Sequence, residues 1–134
     1  LPKAIMFLKD AERLFVFTKN NDRLYRVYNN LGIAYSSFYD YNSAILYFNK
    51  VLQLKQLDSS NPDIATNLIN ISTIYYDQGD YLKCIKTNER ALILTLQKEN
   101  NEATAIIYAN LGASHERLGN YKKSCLKKGR CSMK

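Results

Sequence analysis

Residues 70–94 read NISTIYYDQGDYLKCIKTNERALIL, and the same 25-residue frame recurs without gaps 40 positions before and after. The earlier copy, 30–54, is NLGIAYSSFYDYNSAILYFNKVLQL, and the later, 110–134, is NLGASHERLGNYKKSCLKKGRCSMK. The first two share seven identities, and the matches fall in ordered columns. Asn30, Asn70 and Asn110 open the copies, followed by Leu31, Ile71 and Leu111 and by the small residues Gly32, Ser72 and Gly112. Tyr41, Tyr81 and Tyr121 recur, each followed by a small residue at Ala44, Cys84 and Ser124. Self-similarity at a fixed period marks a repeat array, in which one unit cannot bury its apolar faces alone but stacked units can.

Working outward, the apolar spacing within each copy is helical, as in Leu68, Ile71 and Tyr75. Tyr39-Asp40, Gly79-Asp80 and Gly119-Asn120 interrupt it. Glycine suits the left-handed residue that ends a helix, and Asp or Asn caps the next one. Tyr39 departs from the glycine pattern, which implies a strained turn or a different one. Asn21, Asn61 and Asn101, followed by Asp22, Pro62 and Glu102, read as the caps that open the first helix of each repeat. Each repeat is then two antiparallel helices of roughly 16–18 residues. The small residues close the pair, with Gly32 against Ala44 and Gly112 against Ser124 bringing the axes to about 8–9 Å.

The frame predicts one all-α array over 1–134 with about seven helices. Residues 1–20 read as the second helix of a truncated repeat, since Ala4, Leu8 and Ala11 fall on the columns of Ala44, Phe48 and Val51. Repeats follow at 21–60 and 61–100, then one at 101–134 whose second helix is basic. Gly129 within that last helix predicts fraying. Both ends read as cut from a longer solenoid, and their apolar faces leave room for end-to-end homo-oligomers.

Composition fits this reading. With 46% hydrophobic and 23% charged residues, the chain is globular in type, and five Gly and two Pro argue against a β-sandwich. No apolar run reaches the roughly 18 residues of a membrane span. The net charge of +7 is uneven: Lys122, Lys123, Lys127, Lys128, Arg130 and Lys134 carry six positive charges, leaving 13 bases against 12 acids before them. A nucleic-acid binder spreads its basic footprint over a folded face, so this end reads as a solvated helix and no nucleic-acid partner is expected.

The order Leu31-Gly32, Tyr35, Tyr41, Ala44, Phe48, Val51 resembles the tetratricopeptide repeat. So do Ile71-Ser72, Tyr75, Gly79, Tyr81, Cys84, Ala91 and Leu111-Gly112, His115, Gly119, Tyr121, Ser124, Cys131. The family's usual period is about 34 residues. The longer period here is similar to the subgroup that includes kinesin light chains and bacterial peptide-sensing regulators. The resemblance implies a right-handed superhelix whose first helices line a concave groove, and a scaffold that holds peptides or partner domains within a larger sensor or regulator.

On that analogy the groove columns are Arg26, Asn29, Asn30, Ile33, Thr66, Asn70, Thr73, Tyr76, Asp77, Asn110, Ala113 and Arg117. The recurring Asn30, Asn70 and Asn110 offer both donors and acceptors to a peptide backbone. They could equally bond to neighbouring helices and fix repeat stacking. The carboxylate clamp of chaperone-binding members is rejected. Its basic columns hold Asn29, Ile106 and Asn110, its first Asn column holds Ile33, and only Asn70 matches.

No catalytic, metal or cofactor constellation is present, and an enzyme is not expected. His115 stands where Tyr35 and Tyr75 stand, which suits packing or an interface. Cys84, Cys125 and Cys131 lie on or beside small-residue columns, which suits core cysteines in a reducing, cytoplasmic setting. The leading function is a non-catalytic peptide- or protein-binding scaffold. The alternative is a structural or oligomerising repeat segment without a ligand of its own.

Overall fold

Asn20, Asp40, Asp80 and Asn100 each begin a helix in the same way. Their side chains accept the backbone N–H three residues on, from Arg23, Ser43, Lys83 and Ala103 at 3.1–3.2 Å. Their own N–H groups close the helix before, donating five residues back to Phe15, Tyr35, Tyr75 and Thr95 at 2.9–3.0 Å. One residue thus satisfies groups that two helix ends would otherwise leave unpaired.

A computed structural model describes residues 2–55 and 63–128; the side chains of Lys55, Asp63, Tyr121 and 124–128 are outside that description. Six helices are present among these residues. They are α1 (Lys3–Phe17), α2 (Asn21–Ser37), α3 (Tyr41–Lys55), α4 (Asp63–Asp77), α5 (Tyr81–Gln97) and α6 (Asn101–Lys128). The caps correct the sequence reading by one position. Asn21 and Asn101 are first helical residues, because the closing turn recruits the preceding Asn20 and Asn100. Asp40 and Asp80 cap as expected. Asn61, Pro62, Gly129 and Cys131 lie outside the described residues.

The four turns share a second feature. Lys19, Tyr39, Gly79 and Glu99 all have positive φ, at 56°, 60°, 78° and 53°. Each donates its N–H three residues back, completing the two-bond closure of a helix end. Tyr39 therefore builds the same turn as Gly79. A left-handed L-residue costs about 1–2 kcal/mol, which the paired backbone bonds and side-chain cap offset.

The chain divides into two compact units, Leu1–Asn70 and Ile71–Lys134, with the boundary inside α4. In the first, α2 packs against α1 on one side and α3 on the other. Ile5, Leu24, Val27, Leu31, Ala44, Phe48 and Val51 form its core. The close approach at Gly32 is made by Phe48, not by Ala44: a Cβ on Gly32 would lie 2.6 Å from the Phe48 ring. Tyr47 stacks on Tyr35 at 5.6 Å between centroids and lies 5.9 Å from Tyr28. Lys50 sits over Tyr28 and Tyr47 at 5.3 and 4.9 Å and pairs with Glu12 of α1 at 3.9 Å, while Lys9 lies over Tyr35. Hydrogen bonding to Tyr35 raises the Lys9 pKa, and burial raises those of Tyr28 and Tyr47.

In the second unit α5 packs against α6, and Ile71, Ile74, Cys84, Ile85, Ala91, Ile107 and Leu118 are buried. Here the structure corrects the last expected turn, because α6 runs through Gly119-Asn120 as one 28-residue helix. A helix folds back when its new face repays the turn by burial. α3 buries Ala44, Tyr47, Phe48 and Val51, whereas the columns of Tyr47 and Phe48 hold Lys127 and Lys128 at this end. The expected Gly112–Ser124 approach is likewise not found: no described atom lies within 4 Å of a Cβ built on Gly112.

Candidate functional site

The second unit carries a cavity of about 260 Å³ lined by Ser72, Thr73 and Tyr76 of α4, Cys84 of α5, and Asn110 and Ala113 of α6. Successive turns of α4 and α6 form its walls, since residues three and four apart share a helix face. A buried polar chain holds the walls together. Ser72 Oγ donates to Asn88 Oδ1 at 3.1 Å, and Asn88 Nδ2 donates to the Cys84 carbonyl at 3.1 Å. Ser114 Oγ donates to the Asn110 carbonyl at 2.7 Å, so the Cys84 thiol is the donor in its 3.1 Å contact with Ser114 Oγ. Buried polar networks satisfied in this way fix the geometry of the helices that carry them. Burial raises the Cys84 pKa, which keeps the thiol protonated and able to donate.

At the mouth, Arg117 Nε donates to Tyr76 Oη at 3.2 Å, tying α6 to α4 across a sequence separation of 41. That bond raises the Arg117 pKa and fixes a fully charged guanidinium beside the opening. Asp77 and Glu116 are exposed next to Tyr76 and Arg117. The cavity lining itself carries no charged side chain.

Of the residues the sequence singled out, Thr73, Tyr76, Asn110 and Ala113 line this one cavity and Arg117 is bonded to Tyr76. Arg26, Asn30 and Ile33 are exposed and Asn29 is half-buried on α2; Thr66 is exposed and Asn70 half-buried on α4, all in the first unit. Sequence reasoning missed Asn88 and Ser114, the buried partners that hold the walls. His115 is exposed, unlike buried Tyr35. No group of three metal-ligating side chains and no helix able to cross a membrane occurs among the described residues.

Helix pairs, capped turns and a first-helix cavity agree with the matches to known families. A tetratricopeptide repeat model matches residues 63–124, covering α4, α5 and most of α6. A second tetratricopeptide repeat model matches residues 25–56, covering most of α2 and all of α3. The chain belongs to the tetratricopeptide repeat family. Tetratricopeptide repeats generally mediate protein–protein interaction and are typically non-catalytic scaffolds. In this tetratricopeptide repeat protein, the cavity lies where α4 and α6, the helices that open successive repeats, face each other.

Proposed function

We propose that the chain is a non-catalytic scaffold that binds an extended peptide or partner segment, as part of a larger cytoplasmic sensor or regulatory protein. The single observation that carries this reading is the α4–α6 cavity. It is large enough for one side chain, uncharged within, and edged by Asn110, Tyr76 and a fixed Arg117. Tyr76 offers a rigid amphipathic surface at low entropy cost, and the Asn110 carboxamide offers a donor and an acceptor to a peptide group. Asp77, exposed one residue after Tyr76, favours a ligand that also carries a polar or basic group. Within the first unit, Arg26, Asn29, Asn30, Ile33, Thr66 and Asn70 are the proposed ligand contacts on α2 and α4. The 40-residue period supports kinship with the long-period members of the family.

Selection from a random peptide display library tests the reading. Binders are expected, and Tyr76→Ala and Asn110→Ala should each weaken them about tenfold or more with helix content unchanged by circular dichroism. A library that yields no binder, or binders indifferent to both substitutions, would refute it. The second reading, an oligomerising repeat segment, is favoured by a different observation: bare faces on α1 and α6.

A further inference from the structure

Tyr76, in the wall of the α4–α6 cavity, is held from two sides. The Tyr81 ring of α5 meets it edge to face at 5.4 Å between centroids, and Arg117 Nε donates to its hydroxyl oxygen at 3.2 Å. That bond fixes Arg117 through one corner of its guanidinium only. A guanidinium carries five N–H donors, so four remain on the two Nη groups. Its far edge presents two parallel N–H groups that match the two oxygens of a carboxylate.

No acid of the described residues takes that edge. Asp77 and Glu116, next in sequence to Tyr76 and Arg117, make no ion pair with it. Arg117 is exposed, and no charged residue lines the cavity beside it. The second unit thus sets an uncharged side-chain pocket next to an oriented cation without a counter-charge in contact. Asp77 stands on the repeat column of Arg117 with the opposite sign, which disfavours an acidic group on the α4 side and directs it to α6.

Ala113 of the lining and Arg117 lie one turn apart on one face of α6, a rise of about 6 Å. An extended chain advances about 3.3 Å per residue, so for an extended ligand the two features are about two residues apart. We infer, on the peptide-binding reading above, that Arg117 determines specificity by pairing with an Asp or Glu side chain within about two residues of the uncharged side chain that enters the cavity. On α6, Arg117 lies two turns beyond Asn110, the nearest column of the rejected carboxylate clamp. One cation suits one side-chain acid, and its exposed position lets the ligand backbone run on past it.

Phage-displayed random peptides, joined to other sequence at both ends, test the inference. Binders should share Asp or Glu within two residues of a common uncharged anchor. In fluorescence polarisation with C-terminally amidated copies, replacing that acid by its amide should weaken binding about tenfold, and less at high salt. Arg117→Gln should weaken the acidic peptide equally and leave the amide peptide within about twofold, while Arg117→Glu should prefer a peptide with Lys there. Arg117 is exposed, so circular dichroism of both variants should match the parent. Binders without a shared acid, or an acid whose loss costs as much in Arg117→Gln as in the parent, would overturn the role of Arg117 and leave peptide binding standing. So would binding that requires a free C-terminal carboxylate. A library without binders would remove both readings.

Discussion

α2 and α6 occupy the same columns of the repeat but have different surroundings. α2 is flanked on both sides: Phe48 closes on Gly32, three tyrosines pack together over it, and Lys50 joins them to Glu12 of α1. α6 is held on the side of α5, through Ser114 and Ile107, while its Gly112 side is open. The comparison teaches that a repeat motif specifies a seat, and the neighbouring helix decides whether the seat is filled. Glycine in a helix is a cost to be offset by close packing; where no helix of the described residues approaches, only the cost remains.

The widest contrast should come from the aromatic column itself. Phe48→Ala empties a seat that is 2% exposed and should destabilise the chain by about 3–5 kcal/mol in urea unfolding. Phe7→Ala, one column away on the bare α1 face, should change stability by no more than about 0.5 kcal/mol in dilute solution. Equal losses would erase the distinction between filled and empty seats.

The glycine pair should split in sign. Gly32→Ala drives a Cβ into the Phe48 ring and should cost about 1–3 kcal/mol by the same measurement. Gly112→Ala meets open space and should stabilise by up to about 1 kcal/mol through helix propensity. A destabilising Gly112→Ala would mean that something already packs there.

Much of this contrast was legible in advance, because repetition carries its own alignment. The columns of Gly32, Ser72 and Gly112, the capping roles of Asp40 and Asp80, and an all-helical chain followed from spacing alone. Partners across helices did not follow. Ala44 is small enough to suit a close crossing, so it seemed the natural match for Gly32, yet the large Phe48 ring fills the gap instead. Ser72, Asn88, Cys84 and Ser114 form a chain only once three helices meet, and no periodicity encodes that. Gly119-Asn120 resembles the breaking turns residue by residue. What differs is the sequence after it, where Lys127 and Lys128 stand on the columns of Tyr47 and Phe48.

The smallest predicted effects concern the turns, where the two units agree. Tyr39→Gly removes a left-handed L-residue whose side chain is mostly exposed and should raise stability by less than about 1 kcal/mol. Gly79→Ala should lower it by about 1 kcal/mol. Calorimetric melting resolves both, and opposite signs at the two turns would confirm that they share one backbone geometry.

The unbroken α6 has an electrostatic consequence. At about 1.5 Å per residue its 28 residues span about 42 Å, so the lysine-rich end stands off like a mast instead of folding back beside the cavity. From Arg117 to Lys127 the rise is about 15 Å, close to two screening lengths in physiological salt. The far end of that positive charge is thus largely invisible at the mouth. Under the proposed peptide-binding function, selection of a ligand by charge falls to Arg117, which is bonded to Tyr76 of the cavity wall.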